Sequence, residues 1–382
     1  MVYKRAHGKI YMFYMSLFFI DRRGTMRRPL KSLAIVLSAS LFMISGCGLF
    51  NSSSDNSNTP IADNEVKTIS VENYSVTGTT TIKFDRPPQQ VVVAGLEETE
   101  MVLAFCDTEN IKAVYGYNNL EDFLKPQYKD KLKEVTVLQR GQINTENIMA
   151  MQPDLLIAEQ CSFQPSSLRS TKIWNDRGIK TYVPINTNSP AKHLIPEDIE
   201  TEYQYISDFG VMFNKRELSN KFIEDAKNTM AFFQSYKENA NGNAPTVMIV
   251  EQFSKEIASY DKSKLGGKIV TALGGNIPET APLIGKEELR AIDPDVLFIV
   301  CSDADHGKCK QRLCDNPLFQ ELKAVRNGRV YSLELETIYG PGIRIKDGIE
   351  KIGLSLYPET KEEYLKTQEN TINPSYDSWF TS

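Results

Sequence analysis

The residues best equipped for chemistry lie late in the chain. Cys301, His306, Cys309 and Cys314 fall within fourteen positions of one another. Thiols beside an imidazole could hold a borderline metal or close a disulfide, but this spacing matches no standard zinc pattern. In an oxidising compartment a Cys309–Cys314 disulfide is the expected alternative. Cys161 and Cys301 each follow a short apolar run, so they could face each other as thiols, as a bridge, or with His306 on a metal. Cys106 sits on the apolar face of a helical stretch and reads as a buried thiol. Little else suggests catalysis. The chain has three histidines, and it shows neither a nucleophile elbow nor a phosphate-binding glycine loop.

The elements that would position such residues are announced by a duplication. Residues 146–158 (Glu-Asn-Ile-Met-Ala-Met-Gln-Pro-Asp-Leu-Leu-Ile-Ala) recur 141 positions later as 287–299 (Glu-Glu-Leu-Arg-Ala-Ile-Asp-Pro-Asp-Val-Leu-Phe-Ile). Each copy reads as a short amphipathic helix stopped at Pro153 or Pro294, because proline lacks an N–H and restricts the residue before it. An apolar run follows, Leu155–Ala158 or Val296–Val300, suited to a strand buried on both faces. One unit used twice at this distance predicts two similar α/β lobes. Glu146 and Glu287 open the two copies.

The start of the chain is not part of that fold. From Met26 come Arg27, Arg28 and Lys31, an apolar run Leu33–Ile44, then Ser45-Gly46-Cys47. This resembles a bacterial lipoprotein signal, in which the cysteine is lipidated and becomes the new N-terminus. The run is shorter than the ~20 residues a spanning helix needs. Residues 1–25 fit no signal, and Met26 is the expected true start. Residues 47–78 are polar and low in complexity, a lipid-anchored flexible tether. Residues 1–46 hold eight basic and one acidic residue, so the remainder carries 36 against 48, a net of −12. Such a surface repels nucleic acid.

Beyond the tether, short apolar stretches (79–84, 91–94, 111–115, 180–183) alternate with helical ones (97–105, 125–132, 171–177), the mark of a doubly wound α/β lobe over 79–210. No strand signal appears in 197–240. There, Leu218, Phe222, Ile223, Ala226, Met230 and Phe233 keep helical spacing, and a helix over 216–237 would be about 33 Å long. Residues 211–240 are therefore the expected stiff connector. A second lobe follows over 241–360, with strands at 246–250, 296–300 and 329–332 and helices at 268–273, 317–324 and 347–356. Residues 361–382 read as a polar tail. The fold class is α/β, two doubly wound lobes joined by one long rigid helix.

Several motifs occur in one family's order. They are Leu273-Gly274-Gly275-Asn276, the Glu-to-Pro-Asp repeat, Val325-Arg326-Asn327-Gly328-Arg329-Val330-Tyr331, Gly340-Pro341-Gly342-Ile343-Arg344 with Asp347-Gly348, and Leu356-Tyr357-Pro358-Glu359. Together they resemble the substrate-binding lipoproteins of ABC importers for ferric siderophores, haem and cobalamin, over about residues 79–360. The resemblance implies a ligand cleft between the lobes, no enzymatic activity and no intrinsic cofactor. It also implies a monomer, held to the membrane through Cys47 alone, that meets a permease dimer. It carries the family's two docking glutamates, which meet permease arginines, onto Glu146 and Glu287.

Ligands of α/β lobes bind beyond the carboxyl ends of the strands. The corresponding loops are 95–98, 116–119, 159–167, 252–262, 302–308 and 337–344. The cleft candidates on or beside them are Tyr117, Arg140, Gln160, Phe163, Gln252, Phe253, Tyr260, Tyr339 and Arg344. Arginine and tyrosine there suit an anionic, catecholate or carboxylate chelate. The expected ligand is an iron chelate (a siderophore), haem or a corrinoid. Two other classes stay open: a metal-handling enzyme or chelatase on the same fold, and a surface interaction protein using Tyr376–Phe380.

Overall fold

The computed structural model describes residues 69–75, 78–116, 120–139, 141–165, 167–187, 197–237, 244–253, 256–301, 306–368 and 371. A hairpin opens it, β1 (Ile69–Ser75) pairing antiparallel with β2 (Gly78–Phe84). Val71 on β1 is buried, and the Asn73 side chain accepts from Val183 N–H at 2.9 Å. The folded body thus begins inside the stretch expected to be tether. Ile-Ser-Val-Glu-Asn-Tyr-Ser carries too weak an alternation to be read as a strand alone.

The first lobe is a parallel sheet of β3 (Val91–Ala94), β4 (Ile111–Tyr115), β5 (Val137–Leu138), β6 (Leu155–Ala158) and β7 (Lys180–Tyr182), ordered β5-β4-β3-β6-β7. Its chain order reverses between β3 and β6, the doubly wound pattern. Every side chain of β3 and β6 is buried, as continuous apolar runs require when helices cover both faces.

The second lobe holds β8 (Val247–Phe253), β9 (Glu256–Ser259), β10 (Leu283–Ile284), β11 (Val296–Cys301) and β12 (Val330–Glu334), ordered β10-β9-β8-β11-β12. Only β8, β11 and β12 are parallel. β9 returns from β8 as a hairpin, pairing Phe253 with Glu256. Gln252 and Phe253 therefore lie on a strand, not in a loop, and their side chains fall outside the described residues.

The duplicated unit does the same work in both lobes. Asp154 accepts from the backbone N–H of Gln89 and Gln90 at 2.8 and 2.9 Å, fixing the entry of β3 against β6. Asp295 accepts from Thr246 N–H at 2.8 Å, fixing the entry of β8 against β11. The Pro-Asp pair thus ends a helix and registers two neighbouring strands at once.

Helix Arg216–Lys237 forms with the expected bounds. Phe222, Ala226, Met230 and Phe233 line its buried side, against helices Ile199–Met212 and Ile345–Leu356. Gly353 of the latter lies so close to the Phe233 ring that a Cβ there would collide with it. The core is continuous from β3 through this helix to β8 and β11.

Two local readings fail. Residues 317–322 form turns, and the helix there is only Lys323–Arg326. A helix at His306–Cys314 was hidden by its polarity. At the far end, Lys361–Thr367 is helical with Tyr364 fully buried against Phe233, so the fold continues past 360.

Candidate functional site

The carboxyl ends of β3 and β6 lie side by side, with Ala94 opposite Ala158. Gly95 follows β3 with φ +143°, and helix Leu96–Phe105 starts at once. A Cβ at Gly95 would collide with the Glu98 carboxylate, which folds back over that turn. Two strands at equal height thus bring Glu97 and Glu98, in the first turn of that helix, beside Glu159, which follows β6. Ligand oxygens of the three carboxylates lie within 4.8 Å of one another. Their residues are 4, 1 and 5 % exposed. Among the described residues this is the group that could hold a metal ion.

The shell around this group is polar as well as aromatic. The Cys161 thiol donates to Glu159 Oε2 at 3.0 Å. Tyr205 stacks on Tyr182 at 6.2 Å between ring centroids. Burial first, then the charges of Glu98, Glu202, Glu97 and Glu159, hold its hydroxyl far above the usual phenol range. Glu202 accepts from Gly342 N–H at 2.9 Å and from the Asn186 amide. Burial pushes its carboxyl up to about 7 in spite of those donors.

Just behind this group the lobes are joined by charge. Arg344 Nε meets Glu100 Oε2 at 2.6 Å and Arg344 Nη2 meets Glu100 Oε1 at 2.7 Å. Arg344 also donates to the Phe123 carbonyl. Lys125 Nζ lies 2.6 Å from Asp347 Oδ2, with both side chains 2 % exposed. Further out, Lys264 pairs with Glu197 and Lys268 with Asp198, each at 2.7 Å.

This geometry corrects several expected cleft residues. Arg344 presents no charge to a ligand, because its guanidinium is occupied by Glu100. Phe163 is core, buried beside Leu168 and Trp174. Tyr260 is buried, and its hydroxyl donates to Glu251 Oε2 at 2.6 Å. Gln160 follows Glu159 directly and is buried, and Tyr339 is half-buried after β12. Tyr117, Arg140 and Cys47 lie outside the described residues.

The cysteines are also rearranged. Cys309 and Cys314 lie on one helix and are not joined by a disulfide. Five residues along a helix place them on different faces and about 7.5 Å apart in rise alone, too far for a disulfide. Cys301 is instead hydrogen-bonded to Cys309, which, with burial, raises its thiol well above the usual range.

Glu146 and Glu287 are both exposed in the first turns of equivalent helices, Thr145–Ala150 and Lys286–Ile292. Asn144 caps the first by accepting from Asn147 N–H. Arg290 Nη1 lies 3.4 Å from Glu287 Oε2 on a surface open to solvent.

Sequence reading missed Glu97, Glu98, Glu159 and Tyr205. A glutamate in a helix's first turn reads as a solvated partner of the dipole. The signal that could have found them is the pairing of loops: two acidic strand ends whose strands had to be neighbours.

Two α/β lobes, a continuous helix between them, and polar side chains gathered at strand ends define a two-lobed binding protein. The chain belongs to the periplasmic binding protein family, whose model matches residues 91–337. It is 21 % identical over 335 residues to the uncharacterized ABC transporter substrate-binding lipoprotein YvrC of Bacillus subtilis, covering 86 % of this chain and 97 % of that one. It is 24 % identical over 333 residues to the Fe(3+)-citrate-binding protein YfmC of the same organism, covering 82 % and 92 %. A periplasmic binding protein from Veillonella parvula shares the fold with a TM-score of 0.70 at 24 % identity, over 78 % of this chain and 94 % of that one. These relatives are transport proteins rather than enzymes.

Proposed function

We propose that the protein is a lipid-anchored receptor outside the cell membrane that captures a metal chelate, a ferric siderophore foremost, and delivers it to an ABC permease. The observation that carries this reading is the pair Glu146 and Glu287. They are equivalent by sequence, exposed, and fixed on two lobes that share one core and one rigid helix. Paired carboxylates at a fixed spacing suit a two-fold partner bearing arginines, because carboxylate–guanidinium contacts are directional and strong. Cys47 supplies the anchor, and the tether keeps the folded body near the membrane. A named Fe(3+)-citrate-binding relative supports an iron chelate as cargo.

The test is uptake of radioactive iron supplied as ferric siderophores or ferric citrate, in cells whose only copy is Glu146→Arg or Glu287→Arg. Uptake should stop while binding of the same chelate to the purified variants is unchanged. Uptake that continues with both charges reversed would overturn the docking role.

A further inference from the structure

Two of the chain's thiols meet in the second lobe. Cys301 closes β11 and is only 1 % exposed. Cys309 is half-buried on the helix His306–Cys314. Leu313, one turn on from Cys309, is buried in the same apolar cluster as Cys301, and Cys309 packs against that cluster. Side chains four apart share a helix face, so one face of the helix turns both Leu313 and Cys309 toward the strand. A hydrogen bond joins the Cys301 and Cys309 thiols. Sulfurs in such contact need to approach by only about 2 Å to reach the ~2.05 Å of a disulfide.

The two sulfurs differ in their surroundings. Arg312 Nη2 donates to Cys309 Sγ at 3.5 Å. A guanidinium beside a sulfur favours the thiolate, the form that attacks a disulfide. Cys301 is the opposite case. Its bond to Cys309 and its burial keep it in the thiol form, and its Sγ also donates to the Ile299 carbonyl at 3.5 Å. One sulfur is thus placed to attack and the other to follow. The remaining thiols sit elsewhere and differently. Cys161 donates to a carboxylate, Glu159. Burial pushes Cys106 up to about 12 and raises Cys314 as well.

We propose that Cys301 and Cys309 are an oxidation site, a dithiol that a small-molecule disulfide converts into an internal bridge. The Cys309 thiolate attacks one sulfur of the oxidant RSSR. A Cys309–SR bond forms, the oxidant's S–S bond breaks, and RS⁻ leaves. Cys301 passes its proton to that RS⁻ and attacks Cys309 Sγ, which expels the second RS⁻. This takes up the proton that Cys309 had shed. Two protein thiols are oxidised and one RSSR is reduced to two RSH. The bridge fixes the helix His306–Cys314 to the carboxyl end of β11, so the stability of the second lobe follows the redox state of its surroundings. The inference rests on the reading of the protein as a receptor outside the cell in one respect, that disulfides form and persist there.

The probe is oxidised glutathione, added to the purified, reduced protein. Remaining thiols are then alkylated and the chain is digested with trypsin without reductant. Cleavage after Lys308 separates the two cysteines, so the bridge appears as peptide 291–308 joined to Cys309-Lys310. Wild type should yield this linked pair and melt at a higher temperature than before oxidation, and reductant should reverse both. Cys301→Ser should stop with one glutathione held on Cys309, and Cys309→Ser should leave Cys301 open to alkylation. Arg312→Gln, an exposed change, should form the bridge about tenfold more slowly. The wild-type peptide map decides the matter even if a cysteine variant does not fold. Alkylation of both cysteines after oxidation, a Cys309–Cys314 link, or glutathione retained on wild-type Cys309 would overturn the site. Chelate uptake by the Glu146 and Glu287 variants is read separately, so a missing bridge removes this site and leaves the transport reading standing.

Discussion

Arg344 and Glu100, 244 residues apart in the chain, form a two-point ion pair, with N···O distances of 2.6 and 2.7 Å. One side chain belongs to each lobe, and both residues are buried. A buried pair of this kind is costly to break from one side and cheap to replace as a unit. Glu100→Ala should lower unfolding stability by about 3–5 kcal/mol. Replacing both residues with methionine should cost far less. Urea denaturation of the two variants decides between these outcomes.

Reversing the charges proposed for docking tests a different surface. Losing one partner of a desolvated charge pair costs about 2–5 kcal/mol, so Glu146→Arg or Glu287→Arg should weaken docking to the permease by about a hundredfold. Both glutamates are exposed, and stability should change by only about 0.3–1 kcal/mol. Pull-down with the permease in detergent, alongside thermal melting, measures the two quantities.

Acidity should stabilise this protein over a defined window. Burial raises Glu202 and Glu251 to about 7 and Asp208 to about 6, from ordinary values near 4. Between the unfolded and folded values the native state binds more protons than the unfolded one. The stability these groups confer is therefore complete below about pH 4 and is lost as pH rises through 6–7. Melting temperature should climb from pH 8 to pH 5.5. Glu202→Gln should flatten that slope, and an unchanged slope would show that Glu202 does not titrate in this range.

Gly353 tests the strut between the lobes. Its missing side chain lets helix Ile345–Leu356 rest on the Phe233 ring. Gly353→Val should overpack this contact and cost about 1–3 kcal/mol. Gly353→Val combined with Phe233→Leu should recover part of it. Chemical denaturation of the single and double variants gives the coupling.

Anchoring is tested at Cys47. Cys47→Ala should release a folded protein into the medium or the soluble fraction. Retention of that variant in washed membranes would count against lipidation.

Much of the fold could be read from the chain because its central strands are apolar on both faces. Leu155–Ala158 and Val296–Val300, flagged by Pro-Asp, could hardly be anything else. The connecting helix was legible for a similar reason, as Phe222, Ala226, Met230 and Phe233 keep one period. The site was less legible. Arg344 looked like a ligand contact because a sequence does not show that Glu100 will reach it. Phe163 and Tyr260 looked like cleft residues because loops and core are told apart by packing, not by type. The carboxylates at Glu97, Glu98 and Glu159 gained their meaning only when β3 and β6 became neighbours.

The ion pairs between the lobes bear on how cargo leaves. Arg344–Glu100 and Lys125–Asp347 tie the lobes together where water is excluded, so thermal opening between them is rare. Captured cargo should then escape slowly in solution, with a residence time set by loops at the strand ends rather than by swinging lobes. Prompt release requires force applied from outside the protein. Under the docking proposed above, two lobes gripped separately, one through Glu146 and the other through Glu287, would give a transporter the handles to supply it.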